Sequence, residues 1–136
     1  MGCDIHIVLE EKTHDGWVGV RTFDSIETYD GRAFSVASCR NYERFAALAG
    51  VRGEGPSPKG LPDDLSQTAR YLYEKHLSDH HSPSFMSVSE ASRVFVQTAQ
   101  LSEKQKGFAC SYPESYFFDV ESDQADQYRI VFWFDN

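Results

Sequence analysis

The chain has 136 residues, of which 40% are hydrophobic and 14% aromatic, which is enough for one domain with a core of its own. Its 21 acidic residues outnumber its 13 basic residues, and the resulting net charge of −8 opposes nonspecific binding to a nucleic-acid backbone. The sequence also lacks an apolar run of about 18 residues, which is the signal of a membrane span.

Cysteine usage and the opening residues indicate the compartment. The three cysteines, Cys3, Cys39 and Cys110, are widely spaced and odd in number, which fits neither a disulfide framework nor a paired zinc-binding motif. The opening apolar stretch is too short and too polar for a secretion signal. We therefore expect a soluble protein of a reducing compartment.

The first ten residues alternate in the manner of a β-strand. Ile5, Ile7 and Leu9 occupy every second position, so their side chains should point to one face and into a core. Asp4 and His6 then share the opposite face. Their Cα atoms would lie about 6.5–7 Å apart, close enough for both side chains to reach one ion, water or ligand atom.

Turn residues after this strand predict a hairpin. Residues 13–16 (Thr-His-Asp-Gly) would return the chain into a second strand over residues 17–21. Residues 24–39 show little periodicity. The turn residues at 29–32 indicate a loop there, with room for one short strand.

A short helix is predicted next, from Tyr42 to Ala49. Asn41 is a suitable N-cap, and Gly50 can adopt the left-handed conformation that ends a helix. The glycines and prolines of residues 52–62 favour irregular backbone. We interpret this segment as a loop, and a mobile lid is one role for it.

Two further helices are expected. Asp63 is predicted to cap one that runs to about His76, and Ser87 begins a capping-box pattern for another that ends at about Thr98. The polar residues 78–84 separate the two helices. The pair of histidines in this segment is therefore predicted to lie in a loop.

The carboxy-terminal part of the chain predicts two strands. Residues 116–120 alternate in strand fashion, and residues 127–136 carry the strongest strand signal of the sequence. A strand that is apolar on both faces belongs inside a sheet, where we expect it to lie together with the amino-terminal strand. The order of strands, helices and strands predicts a single α+β domain over residues 1–136, with an antiparallel sheet of about four to five strands packed by about three helices.

Segments across nearly the whole chain match one known pattern. It begins with Met-Gly-Cys-Asp-Ile-His at residues 1–6 and ends with Phe-Trp-Phe-Asp-Asn at residues 132–136. The matching segments between them are 40–42, 45–52, 60–62 and 81–84. Together they resemble an uncharacterised family of small, mostly phage-encoded proteins. The resemblance implies a small soluble protein of the infected bacterial cytoplasm that serves as an accessory or counter-defence factor.

The first interpretation of the polar residues is a site for a divalent metal, zinc or manganese. Asp4, His6 and His81 would be its ligands, since a catalytic zinc needs about three such side chains and an open position for water. Asp79 and His80 are further candidate ligands for the same metal. A plainer interpretation treats Asp4 and His6 as a hydrogen-bonded pair that anchors the strand, with Asp79 and His81 as turn and capping residues.

The third interpretation is a metal-free pocket for an anion, in which arginine supplies the forked donors that suit phosphate or carboxylate. We adopt it, and predict that the protein binds a small anionic, nucleotide-like ligand. The predicted contact residues are Asp4, His6, Arg40, Arg52, His81 and Ser82. Two alternatives stay open. One is a metal-dependent phosphoester hydrolase that uses the same histidines, and the other is an inhibitor that binds a protein partner through its acidic surface.

Overall fold

The computed structural model describes residues 2–24, 28–29, 32–33, 41–98, 118 and 120–136. The strands in these ranges are β1 (Asp4–Thr13), β2 (Gly16–Asp24), β3 (Thr28–Tyr29), β4 (Arg32–Ala33), β5 (His80–Ser87) and β6 (Tyr128–Asp135). The α-helices are α1 (Tyr42–Ala49), α2 (Gln67–Lys75) and α3 (Val88–Gln97). Four strands form an antiparallel sheet of order β2-β1-β6-β5, and β3 pairs with β4. The predicted α+β class is confirmed.

The amino-terminal hairpin forms as predicted. β1 and β2 pair across a turn in which the Thr13 hydroxyl donates to the Gly16 carbonyl at 2.7 Å and accepts the Asp15 amide at 3.2 Å. Gly16 has φ +113°, a conformation that favours glycine. Beyond the hairpin, β3 and β4 form two short paired strands where one was predicted. The strand predicted over residues 116–120 lies largely outside the described residues.

The last strand lies in the interior of the sheet. β6 pairs with β1 on one side and with β5 on the other. Its residues 129–134 are all buried, as expected for a strand whose two faces are both apolar. The prediction that the first and last strands share one sheet is confirmed.

Helices cover both faces of the sheet. On one side, called the α1/α3 face, alternate residues of β1 and β6 such as Ile7 and Phe132 pack against α1 and α3. On the other side, called the α2 face, Val8, Val131 and Trp133 pack against α2 and the residues before it. The predicted alternation of β1 is confirmed, but its second face also contributes to a core rather than to an open surface.

The first helix matches the prediction at both ends. The Asn41 side chain accepts the Arg44 amide at 3.0 Å, and Gly50 takes the left-handed conformation with φ +69°. Arg44 is buried against α3, where it donates to the Thr98 hydroxyl at 2.8 Å and to the Phe95 carbonyl at 3.0 Å. Burial lowers the pKa of Arg44 to about 10, so the guanidinium stays charged at neutral pH and joins the two helices.

The second helix begins later than predicted. It starts at Gln67, and its N-cap is Ser66 rather than Asp63. The Ser66 hydroxyl accepts an amide of the first turn at 3.2 Å. Arg129 of β6 binds both the carboxylate and the backbone carbonyl of Asp64, at 2.9 and 3.1 Å. These contacts hold the residues before Ser66 outside the helix.

The third helix confirms its predicted cap. The Ser87 hydroxyl accepts the Glu90 amide at 3.1 Å, and the helix ends at Gln97, next to the predicted end. In the part of the chain that the structure describes, no helix is both long enough and apolar enough to cross a bilayer.

The histidine segment forms a strand, not the predicted loop. Residues 80–87 pair with β6 and make β5 one edge of the sheet. The pairing is interrupted between His81 and Ser84, where Ser82 has φ +55° and Pro83 has no N–H to donate. The serines, histidines and proline mask any apolar alternation, so only the neighbouring β6 makes this segment a strand.

The Gly/Pro loop of residues 52–62 covers this edge. The backbone N–H groups of Lys59 and Gly60 donate to β5 at 3.1 and 2.9 Å. At Gly55 a Cβ atom would overlap the Ala46 carbonyl of α1, so only glycine fits there. The loop therefore packs on α1 and is hydrogen-bonded to β5, while its role as a lid stays a prediction.

A buried ion pair joins α2 to the middle of the sheet. Arg129 donates to Glu10 of β1 at 2.6 Å, and the Glu10 side chain is fully inaccessible. The second Glu10 oxygen accepts the Ser66 amide at 2.9 Å. Arg129 also pairs with Asp64 and lies 4.1 Å above the Trp17 ring. The start of α2 is thereby fixed to β1 and β6.

Removing residues 132–136 should unfold the protein. The truncation takes away Phe132, Trp133 and Phe134, none of which is more than 2% exposed. Burying one such phenylalanine is worth roughly 1.5–3 kcal/mol, against a total stability of about 5–15 kcal/mol. Circular dichroism with a thermal melt is the measurement, and an unchanged Tm would contradict the position of β6.

Replacing Arg129 should be far more damaging than replacing its exposed partner. Arg129→Leu leaves the Glu10 carboxylate buried without a cation and should cost about 3–5 kcal/mol. Asp64→Asn should cost less than about 1 kcal/mol, because the Asp64 side chain is 63% exposed. Urea unfolding at neutral pH compares the two variants, and equal losses would show that the buried pair is unimportant.

The ion pair between Arg129 and Asp64 makes a contribution to stability that depends on pH. The hydrogen bond from Arg129 lowers the pKa of Asp64. The small Asp64 contribution is therefore fully present above the ordinary carboxyl pKa of about 3.9 and is lost as the pH falls through the lowered pKa.

Candidate functional site

Three strand ends meet at one end of the sheet. Because β6 runs antiparallel to β1 and β5, its last residues lie beside the first residues of both. Asp4 lies opposite Asp135, which lies opposite His80, and His6 lies opposite Trp133. Directly opposed residues point to the same face, so these side chains share the α2 face. We call this group of five residues the histidine end.

His6 is oriented by a carboxylate. Its Nε2 lies 2.5 Å from Oδ2 of Asp135, and the two side chains are 24% and 29% exposed. Since a carboxylate only accepts, Nε2 is the donor, and the lone pair of a neutral ring is then on Nδ1. Histidines that act as metal ligands or general bases are commonly held by a carboxylate in this manner. Asp135 is a partner that the sequence pattern did not suggest.

His80 is oriented by a backbone carbonyl. Its Nδ1 lies 2.8 Å from the Tyr73 carbonyl of α2, so Nδ1 is the donor and the neutral ring carries its lone pair on Nε2. Among the described residues His80 makes no second hydrogen bond. The ring centroids of His6 and His80 are 5.4 Å apart. Two imidazoles of fixed orientation thus lie side by side.

Aromatic side chains surround the two imidazoles. The Trp133 ring lies 5.5 Å from His80 and meets Tyr73 edge-on at 5.2 Å. Trp133 is 2% exposed, and its Nε1 has no hydrogen-bond partner in the described part of the chain. The exposed His76, which caps the carboxyl end of α2, adds a third imidazole 6.4 Å from His80. Together with Tyr73 and His76, the histidine end therefore presents three imidazoles and two larger aromatic rings.

His81 lies on the other face of the sheet, contrary to our prediction. Its ring stacks on Phe134 at 6.2 Å, and Phe134 belongs to the core of the α1/α3 face. Its Nε2 lies 3.2 Å from Oδ1 of Asn136, and its Nδ1 lies 3.0 Å from the Ser82 hydroxyl. Side chains alternate along a strand, so His80 occupies the position that we had expected for His81.

The three predicted metal ligands are not brought together. The Cα atoms of His6 and His81 are separated by two strand spacings, about 10 Å, and their side chains point to opposite faces. Asp79, a reserve ligand, is exposed in a short 3₁₀ helix. Across the described ranges, no group of three or more His, Cys, Asp or Glu side chains is placed to hold a metal ion.

The predicted anion pocket is divided in the same way. Arg52 lies with its guanidinium 5.0 Å above the Tyr42 ring, and Tyr42 packs against the core of the α1/α3 face. Arg52 is thus associated with the side of the sheet that carries His81, away from His6. Arg40 lies outside the described residues.

Sequence reasoning missed residues of the site that belong to α2 and β6. Tyr73 lies in the last turn of α2 and His76 is the residue that caps it, so both are found at the carboxyl end of the helix. Trp133 and Asp135 required the register of β6 against β1, which no local pattern contains.

Comparison with protein-family models, with curated proteins and with solved structures gave no match to this chain.

Proposed function

We propose that the protein binds a small anionic, nucleotide-like ligand at the histidine end, and that it does so as a phage accessory or counter-defence factor in the cytoplasm of infected bacteria. The resemblance of the sequence supports the biological setting. The ligand class rests on one observation, which is that three imidazoles and two larger aromatic rings lie together at one end of the sheet.

The imidazoles supply the recognition of the anion. His6 and His80 are each held through one ring nitrogen by an oxygen of the protein, so neither ring has to be ordered when a ligand binds. A protonated imidazole donates through both nitrogens, and a charge-assisted hydrogen bond to a phosphate is stronger than a neutral one. His76 is exposed beside them and can add a third donor.

Charge sets the conditions for this binding. Asp4 and Asp135 lie at the same end, and the whole chain carries −8, so an anion is repelled when the histidines are neutral. Binding of an anion at this end therefore depends on donation from protonated imidazoles.

The aromatic rings account for the nucleotide-like part of the ligand. Tyr73 and His80 are half-buried rings at the border of the cluster, which leaves part of each accessible to a ligand. Stacking of a base on an aromatic side chain is worth about 1–3 kcal/mol and tolerates different bases. Trp133 is buried beneath them and supports the arrangement rather than contacting a base itself.

A panel of mononucleotides and dinucleotides should raise the Tm of the protein. A ligand that binds only the folded state stabilises it by mass action, by about 2.7 kcal/mol at a hundredfold excess over Kd. His80→Ala should lose most of this increase. His14→Ala is the matched control, because His14 is 93% exposed in the β1–β2 turn.

Two results would contradict the proposal. One is that no nucleotide changes the Tm of the wild type, and the other is that His80→Ala responds as fully as His14→Ala. In the first case the third possibility, an inhibitor that binds a protein partner through the acidic surface, becomes the better account, since the net charge of −8 gives it an electrostatic basis.

A metal-dependent phosphoester hydrolase is the second candidate, and the His6–Asp135 pair favours it because such pairs orient both metal ligands and general bases. Under this alternative, protein purified after supplementation with zinc or manganese should contain near-stoichiometric metal by elemental analysis. His6→Ala should lose the metal, while His14→Ala should keep it. Protein that contains no metal would eliminate this alternative and leave the binding functions.

A further inference from the structure

Three side chains beside the irregular part of β5 form a hydrogen-bonded row. Nδ1 of His81 lies 3.0 Å from the Ser82 hydroxyl, and Nε2 of the same ring lies 3.2 Å from Oδ1 of Asn136. An amide oxygen only accepts, so Nε2 carries the proton of the neutral ring, and the lone pair of Nδ1 faces the hydroxyl. The serine therefore donates to a histidine whose other nitrogen is held in place.

The irregular backbone at Ser82 explains how two neighbours in the chain can meet. Successive side chains of a regular strand point to opposite faces, so a serine that follows a histidine would lie away from its ring. Ser82 instead adopts φ +55°, at the interruption of strand pairing between His81 and Ser84. Residues other than glycine rarely take this conformation, and strained residues of this kind cluster at functional sites.

Both reacting side chains are held by their surroundings and remain accessible. The His81 ring stacks on the fully buried Phe134, with 28° between the two ring planes. The residue after Ser82 is fixed as well, because the Pro83 carbonyl accepts the Gly60 amide at 2.9 Å. His81 and Ser82 are half-buried, which leaves part of each exposed to a reagent. Little further ordering is therefore needed for a reaction at the hydroxyl.

We propose that Ser82 is a nucleophile for small esters, with His81 as its general base and Asn136 as a positioning residue. An activated serine is recognised by a base within hydrogen-bond reach and by a third group that orients the base. All three parts are present here. The His81 ring lies on the α1/α3 face, so this reaction is independent of a ligand bound at the histidine end.

The reaction transfers an acyl group to Ser82 and then to water. Oγ of Ser82 attacks the carbonyl carbon of the ester, and its proton passes to Nδ1 of His81. The bond from the carbonyl carbon to the alcohol oxygen breaks, and the alcohol leaves with that proton. Water, deprotonated by the same nitrogen, then removes the acyl group as a carboxylic acid. Asn136 accepts from Nε2 in both protonation states of the ring, which keeps Nδ1 directed at Ser82.

The test exposes the full chain to p-nitrophenyl acetate, follows the release of p-nitrophenolate and locates the acetyl groups by peptide mass spectrometry after an early acid quench. Ser82 should be acetylated at least about a hundredfold faster than the exposed Ser78 of the same chain, because a general base contributes that much or more. Ser82→Gly should abolish this reaction. Glycine readily adopts a positive φ, so the variant should fold.

Matched variants separate the general base from a structural role. His81→Phe keeps a ring against Phe134 without a nitrogen, so it should slow the acetylation of Ser82 about a hundredfold. His14→Ala removes an exposed imidazole and should leave the rate unchanged. Asn136→Ala should slow the reaction, and Asn136→Asp, which keeps an acceptor, should restore it. Circular dichroism checks that each variant is folded.

Three results would overturn the proposed nucleophile. They are acetylation of Ser82 no faster than that of Ser78, release of p-nitrophenolate by Ser82→Gly as fast as by the wild type, and equal acetylation of Ser82 in the His81→Phe and His14→Ala variants. A wild-type rate in Asn136→Ala would overturn the positioning role.

Discussion

The structure depends on a strand that has no solvent-exposed face. Residues 129–134 of β6 are all buried, so this strand is stable only with a neighbour on each side and a layer on each face. That requirement places β1 and β5 beside it and brings helices to both faces. The requirement also buries a charge, because Arg129 belongs to this run. The Glu10 carboxylate of β1 and the residues before α2 compensate that charge by accepting hydrogen bonds from Arg129.

The histidine end follows from this arrangement by a chain of contacts. The Arg129–Glu10 pair binds the Ser66 amide and thereby fixes where α2 begins. Gly19 of β2 lets the helix approach closely, because a Cβ atom there would lie 2.7 Å from Cβ of Thr68. With its start fixed, α2 places the Tyr73 carbonyl against His80. The orientation of a site imidazole thus depends on an ion pair elsewhere on the same face.

The elements with local signals could be predicted from the sequence. The caps Asn41, Gly50 and Ser87 bound α1 and α3 as predicted, and the alternation of β1 and the apolar run of β6 identified the two central strands. The start of α2 could not be predicted, because Asp63 and Ser66 are both acceptable caps and a tertiary contact from Arg129 decides between them. β5 could not be predicted either, since its pairing with β6 outweighs a loop-like composition.

The candidate site was predicted only in part for a related reason. Asp4 and His6 were placed on one face correctly, because alternation on a single strand is a local property. Choosing between His80 and His81 required the register of β5 against β6. A shift of one residue would move every side chain of β5 to the opposite face. Because His80 and His81 point to opposite faces, the register decides which of them lies beside His6.

Because they point to opposite faces of the sheet, His80 and His81 have different chemical surroundings. His80 is held by the Tyr73 carbonyl among the aromatic rings of the α2 face, while His81 contacts Phe134 and Asn136 on the other face. The irregularity after His81, where Ser82 adopts φ +55°, lets the strand resume pairing at Ser84. Strand pairing, rather than the presence of two adjacent histidines, therefore determines that one imidazole joins His6 and the other does not.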